Sequence, residues 1–146
     1  MTVLAFALAA VLYLIASIHA YWGLGGVWPG TDQASCARTV VGALGIETMP
    51  SPVASFAVTA CLIVATLWPL ALVGIFATPF PKVGLAASAL MVALVFLGRG
   101  IAGFTPAWRR LTPEMPFARL DRQYYSPLCL AIGAGFVILA ISGFQS

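Results

Sequence analysis

Residues 126–144 read SPLCLAIGAGFVILAISGF, an apolar run with no charged residue that opens on a serine-proline pair. A helix needs about 20 predominantly apolar residues to cross the hydrocarbon core of a bilayer. Lipid offers the backbone no hydrogen-bond partners, so a run of this length must be helical. Serine followed by proline is itself a helix-start signal, an N-cap and then a residue pre-set for the first turn. Working back along the chain, the run 83–104 follows the Pro79-Phe80-Pro81 breaker and carries Arg99 near its far end. The run 52–77 follows another such pair, Ser51-Pro52, and contains Pro69, which predicts a kink. The run 2–22 has only Thr2, Ser17 and His19 as clearly polar side chains. The expected architecture is an all-α integral membrane protein, a four-transmembrane-helix bundle with long loops after the first and third helices. It forms a single membrane domain over 1–146, with helices at about 2–22, 52–77, 83–104 and 127–144.

Composition agrees with that reading. The 146 residues are 62% hydrophobic and 8% charged, against about 25% charged in a soluble domain. A soluble, disordered or nucleic-acid-binding protein is therefore excluded; the net charge of +3 rests on too few charges to make a nucleic-acid footprint. The chain opens Met1-Thr2-Val3 with no basic residue, which favours a retained anchor over a cleaved signal peptide. Arg38, Arg109, Arg110, Arg119 and Arg122 all fall in the long loops 23–50 and 105–125, whereas Lys82 stands alone on the other side. By the positive-inside rule both long loops are cytoplasmic and both termini outside, in a multi-pass protein of a bacterial inner membrane. The apolar stretch 39–46 in the first loop predicts a short interfacial or re-entrant helix capping the cytoplasmic mouth.

This topology brings the ionisable residues to one bilayer surface. His19 and Trp22 are three apart and share a helix face. Arg99 sits about one turn inside the third helix, and Asp121, Arg122, Tyr124 and Tyr125 lead into the fourth. An arginine in a membrane helix costs on the order of 3 kcal/mol at the bilayer centre, so Arg99 either faces the interior with a partner or snorkels to the headgroups. Histidine is the residue type that titrates near neutrality, which suits His19 to proton transfer or hydrogen bonding. Glu47 and Asp121 are the carboxylates best placed as partners or bases, while Asp32 and Glu114 read as ordinary surface acids. Trp28 and the other interfacial aromatics read as anchors or pocket walls. Cys36, Cys61 and Cys129 form no dithiol motif, and in a cytoplasmic setting they are reduced; with the topology inverted, Cys36 and Cys129 become candidates to pair. With a single histidine, no metal site is expected. The chain also reads as a doubled hairpin, with His19, glycines, Trp28 and Ser51-Pro52 matched by Arg99, glycines, Trp108 and Ser126-Pro127.

Three strings together carry a resemblance: His-Ala-Tyr-Trp-Gly-Leu-Gly-Gly-Val-Trp-Pro from His19 to Pro29, Gly-Arg-Gly from Gly98 to Gly100, and Arg-Leu-Asp-Arg-Gln-Tyr-Tyr-Ser-Pro-Leu-Cys-Leu from Arg119 to Leu130. With these the chain resembles, over nearly its whole length, a family of small bacterial membrane proteins known as domain of unknown function 3995. The resemblance implies a four-helix membrane fold and no agreed activity. It also implies that His19, Trp22, Trp28, Arg99, Arg122, Tyr125 and Ser126 form the core of a site.

The residues lead to an expected site at the cytoplasmic interface that binds a lipid-like amphiphile such as a lipid, quinone or isoprenoid; if chemistry follows binding, acid-base processing of the head is the least demanding kind, and whether the protein is an enzyme stays open. Arg99 and Arg122 hold its head, His19 and Tyr125 donate or relay a proton with Glu47 and Asp121 as further acid-base candidates, and Trp22, Trp28 and Tyr124 line the site. No cofactor is called for. The alternative is a structural or regulatory subunit, docking a second copy or another membrane protein through small-residue faces at Ala86, Gly133, Gly135 and Ala140. A transporter is less favoured, because no ionisable residue falls at mid-membrane.

Overall fold

The computed structural model describes residues 1–145. The elements in order are α1 (Thr2–Gly23), α2 (Gln33–Val40), α3 (Pro52–Leu72), α4 (Lys82–Ala102), α5 (Pro106–Leu111), α6 (Phe117–Leu120), a π-helical turn (Asp121–Tyr125) and α7 (Ser126–Phe144). Among the described residues there is no strand. Four helical stretches are long and apolar enough to cross a membrane: α1, α3, α4 and the continuous run Phe117–Phe144. At ~1.5 Å of rise per residue a helix of this kind spans about 30 Å, the thickness of the hydrocarbon core. The protein is a multi-pass membrane protein.

Two hairpins make the bundle, α1 packed along α3 and α4 packed along α7. This is the pairing that the doubled pattern in the sequence anticipates. The hairpins meet over a shared core of Ala5, Leu8, Leu12, Ala16, Leu62, Ala65, Ala89, Ala93, Ile132, Phe136, Leu139 and Ala140. Alanine dominates because close helix approach in lipid is driven by van der Waals packing, for which small side chains leave room. Ala86, Gly133, Gly135 and Ala140, weighed above as a docking face, are all buried inside the bundle.

Three boundaries differ from expectation. Helix α3 starts as read, with Ser51 Oγ accepting from the Ala54 N–H at 3.2 Å and Pro52 in the first turn, but it stops at Leu72 rather than 77. Gly74 there adopts φ +74°; its N–H donates to the Ala71 carbonyl and the Ile75 N–H donates to the Leu70 carbonyl, closing the helix end. The short helix of the first loop occupies Gln33–Val40 rather than 39–46. Asp32 and Ser35 fix its start: the carboxylate accepts the Ser35 N–H at 2.7 Å and Ser35 Oγ accepts the Asp32 N–H at 3.1 Å, a capping box. Finally, Ser126 does not cap α7, because the helix runs through it from Phe117. Pro127 has no N–H and crowds the carbonyl four residues back. The chain answers with a π turn just before it, in which the Ser126 N–H reaches the Asp121 carbonyl.

The two long loops cover the same end of the bundle and are tied together. Leu44 N–H donates to the Leu111 carbonyl at 3.1 Å and Glu114 N–H to the Gly42 carbonyl at 3.2 Å. The Glu114 carboxylate accepts the Gly45 N–H at 3.0 Å, and Tyr125 Oη donates to the Thr39 carbonyl at 3.3 Å. Glu114 and Asp32, read as ordinary surface acids, therefore hold the loop layer in place.

Candidate functional site

The polar residues expected to converge resolve into two separate groups. The first centres on Asp121, which is fully buried. The π turn carries it inward and places Ser126, five residues on, against it: Ser126 Oγ donates to Oδ1 at 3.0 Å. From α4, Arg99 Nη2 donates to the same oxygen at 2.8 Å, and Arg99 Nη1 donates to Ser126 Oγ at 3.3 Å. From α5, Trp108 Nε1 donates to Oδ2 at 3.0 Å, and Arg109 Nη2 lies 3.5 Å from it. The Arg99 guanidinium also stands over the Trp108 ring, 4.5 Å from its centroid. Arg109 is anchored in turn on the Gly103 and Ala118 carbonyls.

This cluster suits the backbone around it closely. A Cβ on Gly103 would lie 1.7 Å from Ser126 Oγ, so only glycine permits the α4 end to approach α7 there. A buried carboxylate with both oxygens occupied by donors is an internal ion-pair network. It has no accessible lone pair to take a proton from a substrate. Arg99 thus has the interior partner that the membrane setting demands, and its guanidinium is spent on that partner. Trp108 and Arg109 belong to the cluster although they read, from sequence, only as an interfacial anchor and a loop cation; nothing in their spacing marks them as partners of Asp121.

The second group lies on the other hairpin. His19, Trp22, Val40, Val41, Met49, Pro50, Ala54, Ser55 and Val58 line a partly open pocket of about 270 Å³ between α1, the start of α3 and the end of α2. His19 Nδ1 lies 2.8 Å from the Ile15 carbonyl. A carbonyl can only accept, so Nδ1 carries the hydrogen, and Nε2 is the ring nitrogen left for a ligand, as an acceptor in the Nδ1–H tautomer. No described residue bonds to Nε2. The imidazole stands edge-on to Trp22, with centroids 5.0 Å apart, and the Trp22 N–H is engaged with the Trp28 carbonyl at 2.7 Å. Ser55 is 6% exposed, and its hydroxyl has no hydrogen-bond partner among the described residues. One turn deeper, Thr59 Oγ1 bonds to the Ser55 carbonyl at 2.9 Å. Ser55 was not singled out in the sequence, where it is one more small residue in an apolar helix.

The remaining candidates fall outside both groups. Trp28 is exposed and works through its backbone, its N–H donating to Tyr21 Oη at 3.3 Å. Tyr125 packs on Phe117 and ties the loops. Glu47, Arg122 and Tyr124 are exposed on the loop side, and their side chains have no ion pair or hydrogen bond among the described residues. The cysteines are free thiols: Cys36 buried, Cys129 half-buried and Cys61 exposed. Burial pushes the Cys36 thiol above its ordinary value. No group of three or more His, Cys, Asp or Glu residues able to hold a metal occurs among the described residues.

No curated protein and no solved structure matches the chain. A family model does, over residues 4–136, a stretch that takes in both groups of polar residues and all but the end of the last helix, and the chain accordingly belongs to the family described as protein of unknown function (DUF3995).

Proposed function

We propose that the protein binds a lipid-like amphiphile in the pocket between α1, α2 and α3, with the head against His19 and Ser55 and the tail along the lipid-facing side of α3. One observation carries this reading: two polar residues, His19 and Ser55, line an otherwise apolar pocket, and neither His19 Nε2 nor Ser55 Oγ has a hydrogen-bond partner among the described residues. A mostly apolar concavity with a few polar groups is the usual form of a small-molecule site. Ala54 and Val58, both exposed, form the α3 wall, so the pocket is continuous with a surface that faces acyl chains. The basic residues of the long loops support a cytoplasmic setting for the pocket by the positive-inside rule. An imidazole lone pair beside a bound head can also accept a proton from it, so acid-base processing needs no further residue.

The test is extraction and mass spectrometry of the lipophilic molecules that co-purify with the folded protein. Wild type should retain a defined amphiphile that Ser55→Ala and His19→Phe lose, with exposed Arg122→Gln retaining it. Only bulk lipid in all samples contradicts the proposal.

A further inference from the structure

Resting on that reading of the pocket, we infer that its ligand is a neutral long-chain alcohol, whose hydroxyl donates to His19 Nε2 and accepts from Ser55 Oγ. The two protein groups are complementary to a hydroxyl and to few other heads. His19 offers an acceptor at Nε2, because Nδ1–H is committed to the Ile15 carbonyl. Ser55 offers a hydroxyl that can donate. The third polar atom nearby, Trp22 Nε1, is already bonded to the Trp28 carbonyl and is withdrawn from the ligand.

Other heads fit less well for separate reasons. An ether or ester accepts from Ser55 and leaves Nε2 facing an atom that cannot donate. A carboxylate brings two acceptors and a charge into a lining with no lysine or arginine. The arginines that could compensate it, Arg99 and Arg109, are bound to Asp121 on the other hairpin. An ammonium donates to Nε2 but buries a charge with no carboxylate in the lining. At about 270 Å³ the pocket is smaller than the roughly 300–1,000 Å³ of sites that enclose a drug-sized molecule. It therefore selects on the head and the first carbons, and leaves the tail to the bilayer.

The experiment uses the full chain in lipid nanodiscs and a photoreactive probe, hexadecan-1-ol carrying a diazirine in its chain, with labelled residues mapped by mass spectrometry. Competitors of one chain length are hexadecan-1-ol, its methyl ether and hexadecanoic acid. The expected result is saturable labelling beside the pocket, competed by the alcohol and about tenfold less well by ether and acid, the ratio corresponding to one unmade hydrogen bond. In His19→Phe and Ser55→Ala the alcohol should lose its advantage over the ether. Equal competition by ether or acid in wild type overturns the alcohol assignment and leaves the pocket standing as a binding site. Labelling at the pocket that none of the three compounds competes overturns the binding reading itself.

Discussion

Ser126 and Asp121 are five residues apart along a π turn and joined by a 3.0 Å hydrogen bond from hydroxyl to carboxylate. That bond places an acid where a regular α-helix would have turned it away, and it gives Arg99, 22 residues earlier, its ion-pair partner. The α4–α7 hairpin is held at its loop end by this network, and the α1–α3 hairpin carries the open pocket.

Breaking the network from its centre is expected to be costly. Asp121→Ala leaves Arg99 without a counter-charge at the membrane boundary, and losing one partner of a buried pair typically costs about 3–5 kcal/mol. Trp108→Phe keeps the ring beneath Arg99 and deletes a single N–H donor, for a loss of about 1 kcal/mol. Unfolding in detergent should rank the two in that order; equal losses would mean that Asp121 is not the hub.

Two glycines on α4 and at its end make opposite predictions. Gly103→Ala drives a methyl group into Ser126 Oγ and should destabilise by roughly 1–3 kcal/mol or more. At Gly98 a Cβ meets nothing within 4 Å, so Gly98→Ala should gain up to about 1 kcal/mol of helix propensity. Thermal denaturation of both variants checks the close approach at Gly103.

The cap of α2 depends on pH in a defined direction. The Asp32 carboxyl is held below its ordinary value of 3.8 by the Ser35 backbone N–H and then by the Ser35 hydroxyl. A group whose folded pKa is lowered contributes stability that is fully present above the unfolded value and is lost as pH falls through the folded one. Amide exchange at Ser35 and Cys36, corrected for intrinsic rate, should therefore be flat near neutrality and lose protection below about pH 4. Asp32→Ala should show weakened protection at every pH. Identical profiles for the two proteins would remove the capping box from the account.

Thiol reactivity should follow burial. Cys36 is on the buried face of α2 with its thiol raised by desolvation, so it stays protonated and shielded at neutral pH. A water-soluble maleimide should label it only after denaturation. Rapid labelling of the folded protein at Cys36 would show that α2 does not sit down on the loop layer as described.

The membrane fold was legible because runs such as 126–144 admit one solution in lipid, and the serine-proline pair at 51–52 marks a true helix start. The same pair at 126–127 misled, since a π turn depends on tertiary contacts that leave no local trace and Ser126 spends its hydroxyl on Asp121. Topology alone brought Arg99 and Asp121 to one surface, but it could not separate them from His19, which lies on the other hairpin. Ser55 was invisible for a simpler reason: its significance is the absence of a partner, and only the arrangement of α1, α2 and α3 around it reveals that.

His19 is the one histidine in the chain, so ¹⁵N-histidine labelling gives a single imidazole to observe. Its ring nitrogen shifts, recorded with and without hexadecan-1-ol, test the central claim most directly. The account predicts a ring that carries its hydrogen on Nδ1 and whose Nε2 resonance moves as the alcohol is added. A ring protonated at Nε2, or an Nε2 signal unchanged by the alcohol and by every extracted lipid, would contradict it.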